Sequence, residues 1–288
     1  MSTTTAIKNY FSLVKFSHTV FAMPFAAIGF LLAVKAVNFQ FNIWLAVKVL
    51  LCMVFARTAA MAFNRYTDRF IDALNPRTAI REIPSGIITS NNALVFVIIN
   101  CSLFVITCWF INPLCFYLSF VALAVVLGYS YTKRFTALCH FVLGLGLSLA
   151  PVGAYIAVTG SFALTPILFS VTVLLWVSGF DIIYALQDEQ FDKQNQLKSI
   201  PALLGSKNAL RLSAILHLIC AVTVIVSGFS GQFGLIYFAG ATVFIGLLFY
   251  QHTLVKPGNL SKVNLAFFTT NGIASVIFAT FVIADVLL

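Results

Sequence analysis

Nine apolar runs, each close to the roughly 20 helical residues needed to cross a hydrocarbon core, make up most of this 288-residue chain. They fall near residues 18–37, 43–63, 92–111, 112–131, 138–159, 163–185, 209–229, 233–251 and 265–287. Their apolar residues are continuous rather than alternating, which excludes a β-barrel. Composition agrees, at 61% hydrophobic and 9% charged, where a soluble domain carries about 25% charged residues. The chain is read as an all-α integral membrane protein with nine transmembrane helices. No small-residue cleavage signal follows the first run, so it reads as the first span and not as a removable leader. All six cysteines lie inside apolar runs at no metal-ligand spacing and read as small packing residues.

Basic residues set an orientation. Fourteen of the 17 Lys and Arg occupy alternate loops: Lys8 and Lys15; Arg65, Arg69, Arg77 and Arg81; Lys133 and Arg134; Lys193, Lys198, Lys207 and Arg211; Lys256 and Lys262. Lys35 sits at a helix rim, and Lys48 and Arg57 fall inside the second run. The positive-inside rule then places the N-terminus and these loops in the cytoplasm and the C-terminus outside. The membrane would be the inner (cytoplasmic) membrane of the cell. A net charge of +9 is explained by topology and anionic lipid, so no nucleic-acid partner is inferred.

The polar residues are far from random. Arg57, Asn64, Asp68 and Asp72 share one helical stripe, at offsets of 7, 11 and 15 residues. Asp181, Tyr184, Asp188 and Asp192 form a second, at offsets of 3, 7 and 11. Seven of the eight acids lie in these two segments, counting Glu82 and Glu189; the eighth, Asp285, is at the predicted outer end. The shared i, i+4, i+8 spacing suggests a pseudo-repeat of four-helix units. Asp181 lies within the apolar part of its run, where an ionised carboxylate marks function by default. Arg57 is the comparably buried opposite charge, and the two are expected to face one polar cavity.

After the first stripe, Asn75-Pro76 and Pro84-Ser85-Gly86 are turn signals that bracket a short structured segment holding Arg77 and Arg81. The Tyr129 to Phe135 segment, with Lys133 and Arg134, reads by itself as interfacial anchors. His18 reads as a membrane-interface histidine and Lys15 as either an anchor or an anion contact. Gly144, Gly146, Pro151 and Gly153 predict close packing and a kink in the fifth helix. The last three helices, with His217 and Asp285, read as scaffold.

Carboxylates and an amide beside Arg and Lys are hard oxygen donors next to anion binders. That set selects Mg²⁺, which binds through few carboxylates plus substrate phosphates, over Zn²⁺. A magnesium-bound diphosphate accounts for both signs of charge in one place, and 30 Phe residues supply a greasy surround, so the ligand is read as a lipid diphosphate. Ionisation of an allylic diphosphate is the reaction this suits, with cations stabilising the leaving group and aromatic faces the carbocation. A transporter would place its charges at the membrane midplane, whereas most acids here are at helix ends. The spaced Asp-Gly and Ala-Arg signature of a phosphoalcohol transferase is absent.

Asn64-xxx-Asp68-xxx-Asp72 with Asp181-xx-Tyr184-xxx-Asp188-xxx-Asp192 resembles the paired aspartate-rich motifs of the UbiA superfamily of intramembrane prenyltransferases. Asn-Pro-Arg77-Thr-xx-Arg81 and Tyr-xx-Lys133-Arg134 look like that family's basic loops. The resemblance implies a single domain over residues 1–288, nine helices around a central lipid-accessible cavity, where an aromatic acceptor attacks a prenyl carbocation. It implies Mg²⁺–diphosphate ligands at Asn64, Asp68, Asp72, Asp188 and Asp192, and diphosphate contacts from Arg77, Arg81, Lys133 and Arg134. Arg57, Asp181, Tyr129 and Tyr184 would line the deeper cavity near the acceptor. The wording of the loop and of Tyr184-Ala-Leu-Gln-Asp188 is most similar to the 4-hydroxybenzoate polyprenyltransferase branch and its relatives in menaquinone synthesis, so the partners implied are a polyprenyl diphosphate, an aromatic acid and membrane lipid. Arg65, where many members have Asp, and Glu82, where Pro is common, depart from the pattern.

Overall fold

The structure, a computed structural model, describes residues 3–14 and 22–288. Lys15 and His18 lie outside them. The helices are α1 (Thr3–Leu13), α2 (Met23–Ala36), α3 (Ile43–Leu74), α4 (Ser90–Trp109), α5 (Pro113–Thr132), α6 (Cys139–Thr159) and α7 (Leu164–Ala185). A 3₁₀ turn (Leu186–Asp188) leads to α8 (Glu189–Gln194), followed by α9 (Ile200–Ser230) and α10 (Leu235–Leu254). A π-helical turn (Leu265–Thr270) opens into α11 (Asn271–Leu287). Among the described residues there is no strand beyond an isolated bridge between Lys256 and Asn259.

Among the described residues, eight helices are long and apolar enough to cross a membrane. Their outer faces carry large apolar side chains such as Trp44, Phe229 and Leu235, the pattern of a protein solvated by lipid. This is an integral membrane protein. The ninth expected span, 18–37, corresponds to α2, which within the described residues has 14 residues and so a length of about 21 Å. The sequence reading also passed over α1, because its apolar face is too short for a span-length criterion to register.

Contacts divide the chain into two compact units. The first holds α1, most of α3, α4 and α5. Leu13 and Val14 pack with Ala62, Ile83, Ile88 and Ala93, so α1 shares a core with α3 and the segment after it. Thr89 caps α4, its hydroxyl accepting from the Asn92 amide, and Lys48 Nζ donates to the Phe110 carbonyl at 2.7 Å. The lysine inside an apolar run thereby meets a helix-end carbonyl.

The second unit holds α2 and the chain from residue 132 onward. Phe25, Phe169, Trp176, Phe180, Tyr237, Phe244 and Phe278 fill its core, all essentially without exposure. Gly29 of α2 lies directly against the carbonyl of Pro151 in α6, where any Cβ would overlap backbone. Asp285 is structural, as expected of the scaffold: its carboxylate accepts from the Gly234 and Tyr237 amides at 2.8 and 3.1 Å, capping α10. Gly205, at φ 73° and ψ 160°, breaks α9 near its start, so the first helical residues there precede the span expected from 209.

Candidate active site

The first acidic stripe lies on one unbroken helix. α3 carries Arg57, Asn64, Asp68 and Asp72 through its 32 residues, and Asn64 Nδ2 donates to Asp68 Oδ2 at 3.1 Å. Asp68 and Asp72 are both buried. Arg81 Nη1 reaches Asp72 Oδ1 at 2.7 Å, while Asp72 Oδ2 is buried with no hydrogen bond among the described residues. One carboxylate thus holds a cation with one oxygen, while the other, matched by none of the described residues, is costly to bury unless something completes it.

The segment bearing Arg77 and Arg81 is structured as expected. Asn75 Oδ1 accepts from the Arg77 amide and its carbonyl from those of Thr78 and Ala79, and Thr78 Oγ1 donates to the Asp72 carbonyl at 3.0 Å. Arg81 is therefore delivered to Asp72 by turn chemistry that begins at Asn75. Glu82 is buried and accepts from Ser12 of α1. The other two arginines of this stretch have surroundings of their own. Arg69 lies over the rings of Tyr66 and Phe70 at 4.5 and 4.3 Å, with Phe70 turned outward, a cation–π placement. Arg65 is buried, its Nε without a hydrogen bond among the described residues.

The second stripe is not one helical face. α7 ends at Ala185, and the 3₁₀ turn carries the chain to Asp188 before α8 resumes. Three residues at about 120° rather than 100° each add about 60° of rotation, so Asp188 and Asp192 are displaced around the axis from Asp181 and Tyr184. Asp192, buried, accepts from Ser199 Oγ at 2.7 Å, and Ser199 also caps α9. The Lys198 amide donates to the Lys133 carbonyl at 2.6 Å, which ties the basic loop of Lys133 and Arg134 to the start of α9. Glu189 is engaged by Lys193 and Ser206.

The partner of Asp181 was missed by the sequence reading. His140, in the first turn of α6, places Nδ1 2.7 Å from Asp181 Oδ2. Its Nε2 accepts from the Ile200 amide at 3.3 Å, so Nδ1 carries the proton and donates. Beyond it, Tyr184 stacks on Phe267, ring centroids 4.1 Å apart, with Phe268 edge-on at 6.1 Å.

Among the described residues no three His, Cys, Asp or Glu side chains converge into a closed metal cage. Separated carboxylates at helix ends, with an amide and guanidinium groups beside them, instead fit a hard cation that retains water and takes phosphate oxygens. The unmatched Asp72 Oδ2 is such a donor.

Residues 22–273 match the model of the UbiA prenyltransferase family. The chain belongs to that family. The UbiA match takes in both acidic segments, the basic loops and the Phe267–Phe268 pair. A 4-hydroxybenzoate octaprenyltransferase of Tolumonas auensis is 31% identical over 228 residues, 79% of each chain. The apo structure of a UbiA homologue from Aeropyrum pernix superposes with a TM-score of 0.84 at 30% identity, covering 94% of this chain and 98% of the homologue. A UbiA homologue from Archaeoglobus fulgidus bound to DMAPP and Mg²⁺ has a TM-score of 0.76 at 21% identity, over 97% of this chain and 99% of its own, and shares the fold. As a UbiA member the chain is a membrane-embedded prenyltransferase.

Proposed function

We propose that this UbiA member transfers a polyprenyl group from a polyprenyl diphosphate to an aromatic acid of the 4-hydroxybenzoate kind. The observation that carries the reading is Asp72, buried at the end of α3 with Arg81 on one oxygen and the other unmatched among the described residues, a carboxylate and guanidinium prepared for a metal-bound anion. Relatives named 4-hydroxybenzoate octaprenyltransferase support the acceptor. The working protein is one domain over residues 1–288, nine helices with α2 as the first, around a central cavity open to lipid. It lies in the inner membrane with its N-terminus and site loops cytoplasmic, the side its basic residues favour.

Asn64, Asp68, Asp72, Asp188 and Asp192 would hold magnesium, which when bound neutralises the leaving diphosphate. Arg77, Arg81, Lys133 and Arg134 hold the diphosphate oxygens, guanidinium groups matching them in pairs. The allylic C–O bond breaks with its electron pair leaving on the diphosphate. Ring π electrons of the acceptor form the new C–C bond, and the ring proton passes to the released diphosphate. Arg57 binds the acceptor carboxylate, and Tyr129, Tyr184 and Asp181 with its His140 partner shape the pocket for the ring.

The test is a transfer assay in membranes with radiolabelled geranyl diphosphate, with and without Mg²⁺, offering 4-hydroxybenzoate and 1,4-dihydroxy-2-naphthoate separately. Magnesium-dependent product with 4-hydroxybenzoate is expected. Product from the naphthoate alone would move the acceptor to menaquinone-type chemistry, and transfer indifferent to magnesium would overturn the metal reading. Asp68→Ala and Asp188→Ala should each abolish transfer while the protein remains monodisperse in detergent.

A further inference from the structure

α7, α9, α10 and α11 enclose a polar network in otherwise apolar surroundings. Trp176, Gln251 and Asn271 have no exposure, and His217 is buried. Trp176 Nε1 donates to Asn271 Oδ1 at 2.8 Å. Asn271 Nδ2 donates to the carbonyls of Ala266 and Phe267, both at 2.9 Å, and lies 3.4 Å from Gln251 Oε1. His217 Nε2 donates to the Trp176 carbonyl at 3.1 Å, so its Nδ1 is the acceptor facing Gln251 Nε2 and His252 Nε2 at 3.3 and 2.8 Å. Such a set is expensive to bury unless every member is matched, and here each has a partner.

The network holds the π-helical turn in place. A π register leaves carbonyls out of the i, i+4 ladder. In this turn Thr270 Oγ1 serves Leu265, and Asn271 serves the next two carbonyls. The turn carries Phe267 and Phe268, and the wider register sets Phe267 flat on Tyr184 and edge-on to Phe180, 5.3 Å between centroids.

We propose that Asn271 is a positioning residue, which through the π-helical turn holds Phe267 against Tyr184 as an aromatic wall for the allylic cation. This rests on the reading that Tyr184 lines the prenyl-transfer site. The wall favours the aromatic acceptor over water. Capture by water would break the same C–O bond, place water's oxygen on the allylic carbon and release the prenol, diphosphate and a proton.

The experiment measures prenylated acid and free prenol from radiolabelled geranyl diphosphate, using the full chain in membranes with magnesium and 4-hydroxybenzoate. Phe267→Leu removes the ring and leaves the network; Asn271→Leu removes the amide. Each should lower the ratio of transfer product to prenol about tenfold, a difference of about 1.4 kcal/mol between the two capture barriers once water enters the space the ring excluded, with KM for the diphosphate unchanged. Asn271→Asp, which keeps the Trp176 acceptor but loses the donor to both carbonyls, should behave like Asn271→Leu. An unchanged ratio in Phe267→Leu overturns the proposal, even if the Asn271 variants fail to fold. If Phe267→Leu lowers the ratio while a folded Asn271→Leu leaves it unchanged, the role assigned to Asn271 is overturned. Asp68→Ala with full transfer would instead sink the site reading underneath it.

Discussion

Asp181 and His140 are 41 residues apart in the chain and 2.7 Å apart in space. The acid was legible because a carboxylate inside an apolar run stands out. The histidine was not, since the residue beside Cys139 carries no spacing signal. Asn64, Asp68 and Asp72 were fully legible, since i, i+4 offsets on one helix need no tertiary information. At this scale, removing one partner of a buried pair leaves the other uncompensated. His140→Leu should therefore destabilise by about 3 kcal/mol, seen as a lowered thermal midpoint in detergent. It should also raise KM for the acceptor without changing KM for the diphosphate, and His140→Gln, which retains a donor, should recover part of both. Equal damage to both KM values would detach His140 from the acceptor side.

Elements were legible where length and apolar continuity define them and illegible where register changes. The 3₁₀ turn at Leu186–Asp188 and the π turn at Leu265–Thr270 alter the rotation per residue, which a fixed 100° reading cannot detect. The resemblance of the two acidic stripes is therefore one of spacing and not of geometry, since only the first is a single helical face. Close approach of elements was half visible: Gly and Pro in α6 announced tight packing, but the glycine that fits against Pro151 is Gly29 of α2. Because the obstacle is backbone, Gly29→Ala should already loosen the α2–α6 crossing by on the order of 1–3 kcal/mol, and Gly29→Leu should stop the protein folding. Gly153→Ala, with open space around its Cβ position, is the matched control and should unfold like the parent. Thermal unfolding of the three in one detergent compares them directly.

For the whole molecule, everything turns on whether α2 crosses the membrane. Among the described residues eight helices are long enough without it, and eight crossings would leave both termini on one side. Nine crossings put them on opposite sides. The distribution of charge favours nine: with α2 spanning, Lys8, the Arg77–Arg81 segment, Lys133–Arg134, Lys198 and Lys256–Lys262 all fall on one face, as the positive-inside rule demands. If α2 did not cross, Lys8 and Lys15 would change face and the other groups would stay, so charge sets the N-terminus through two residues. The helix is short for a core of about 30 Å, but the apolar run begins at residue 18 and Lys35 at its other end is long enough to snorkel to an interface. Single cysteines placed in a cysteine-free parent, at Ser2, Ser85 and Leu288, would be labelled with a membrane-impermeant maleimide in intact and in opened cells. Nine crossings require Leu288→Cys to label in intact cells, with Ser2→Cys and Ser85→Cys labelling only after opening. Labelling of both Ser2→Cys and Leu288→Cys in intact cells would mean eight crossings, and α2 would then be an element folded against α6 and α11 within one leaflet.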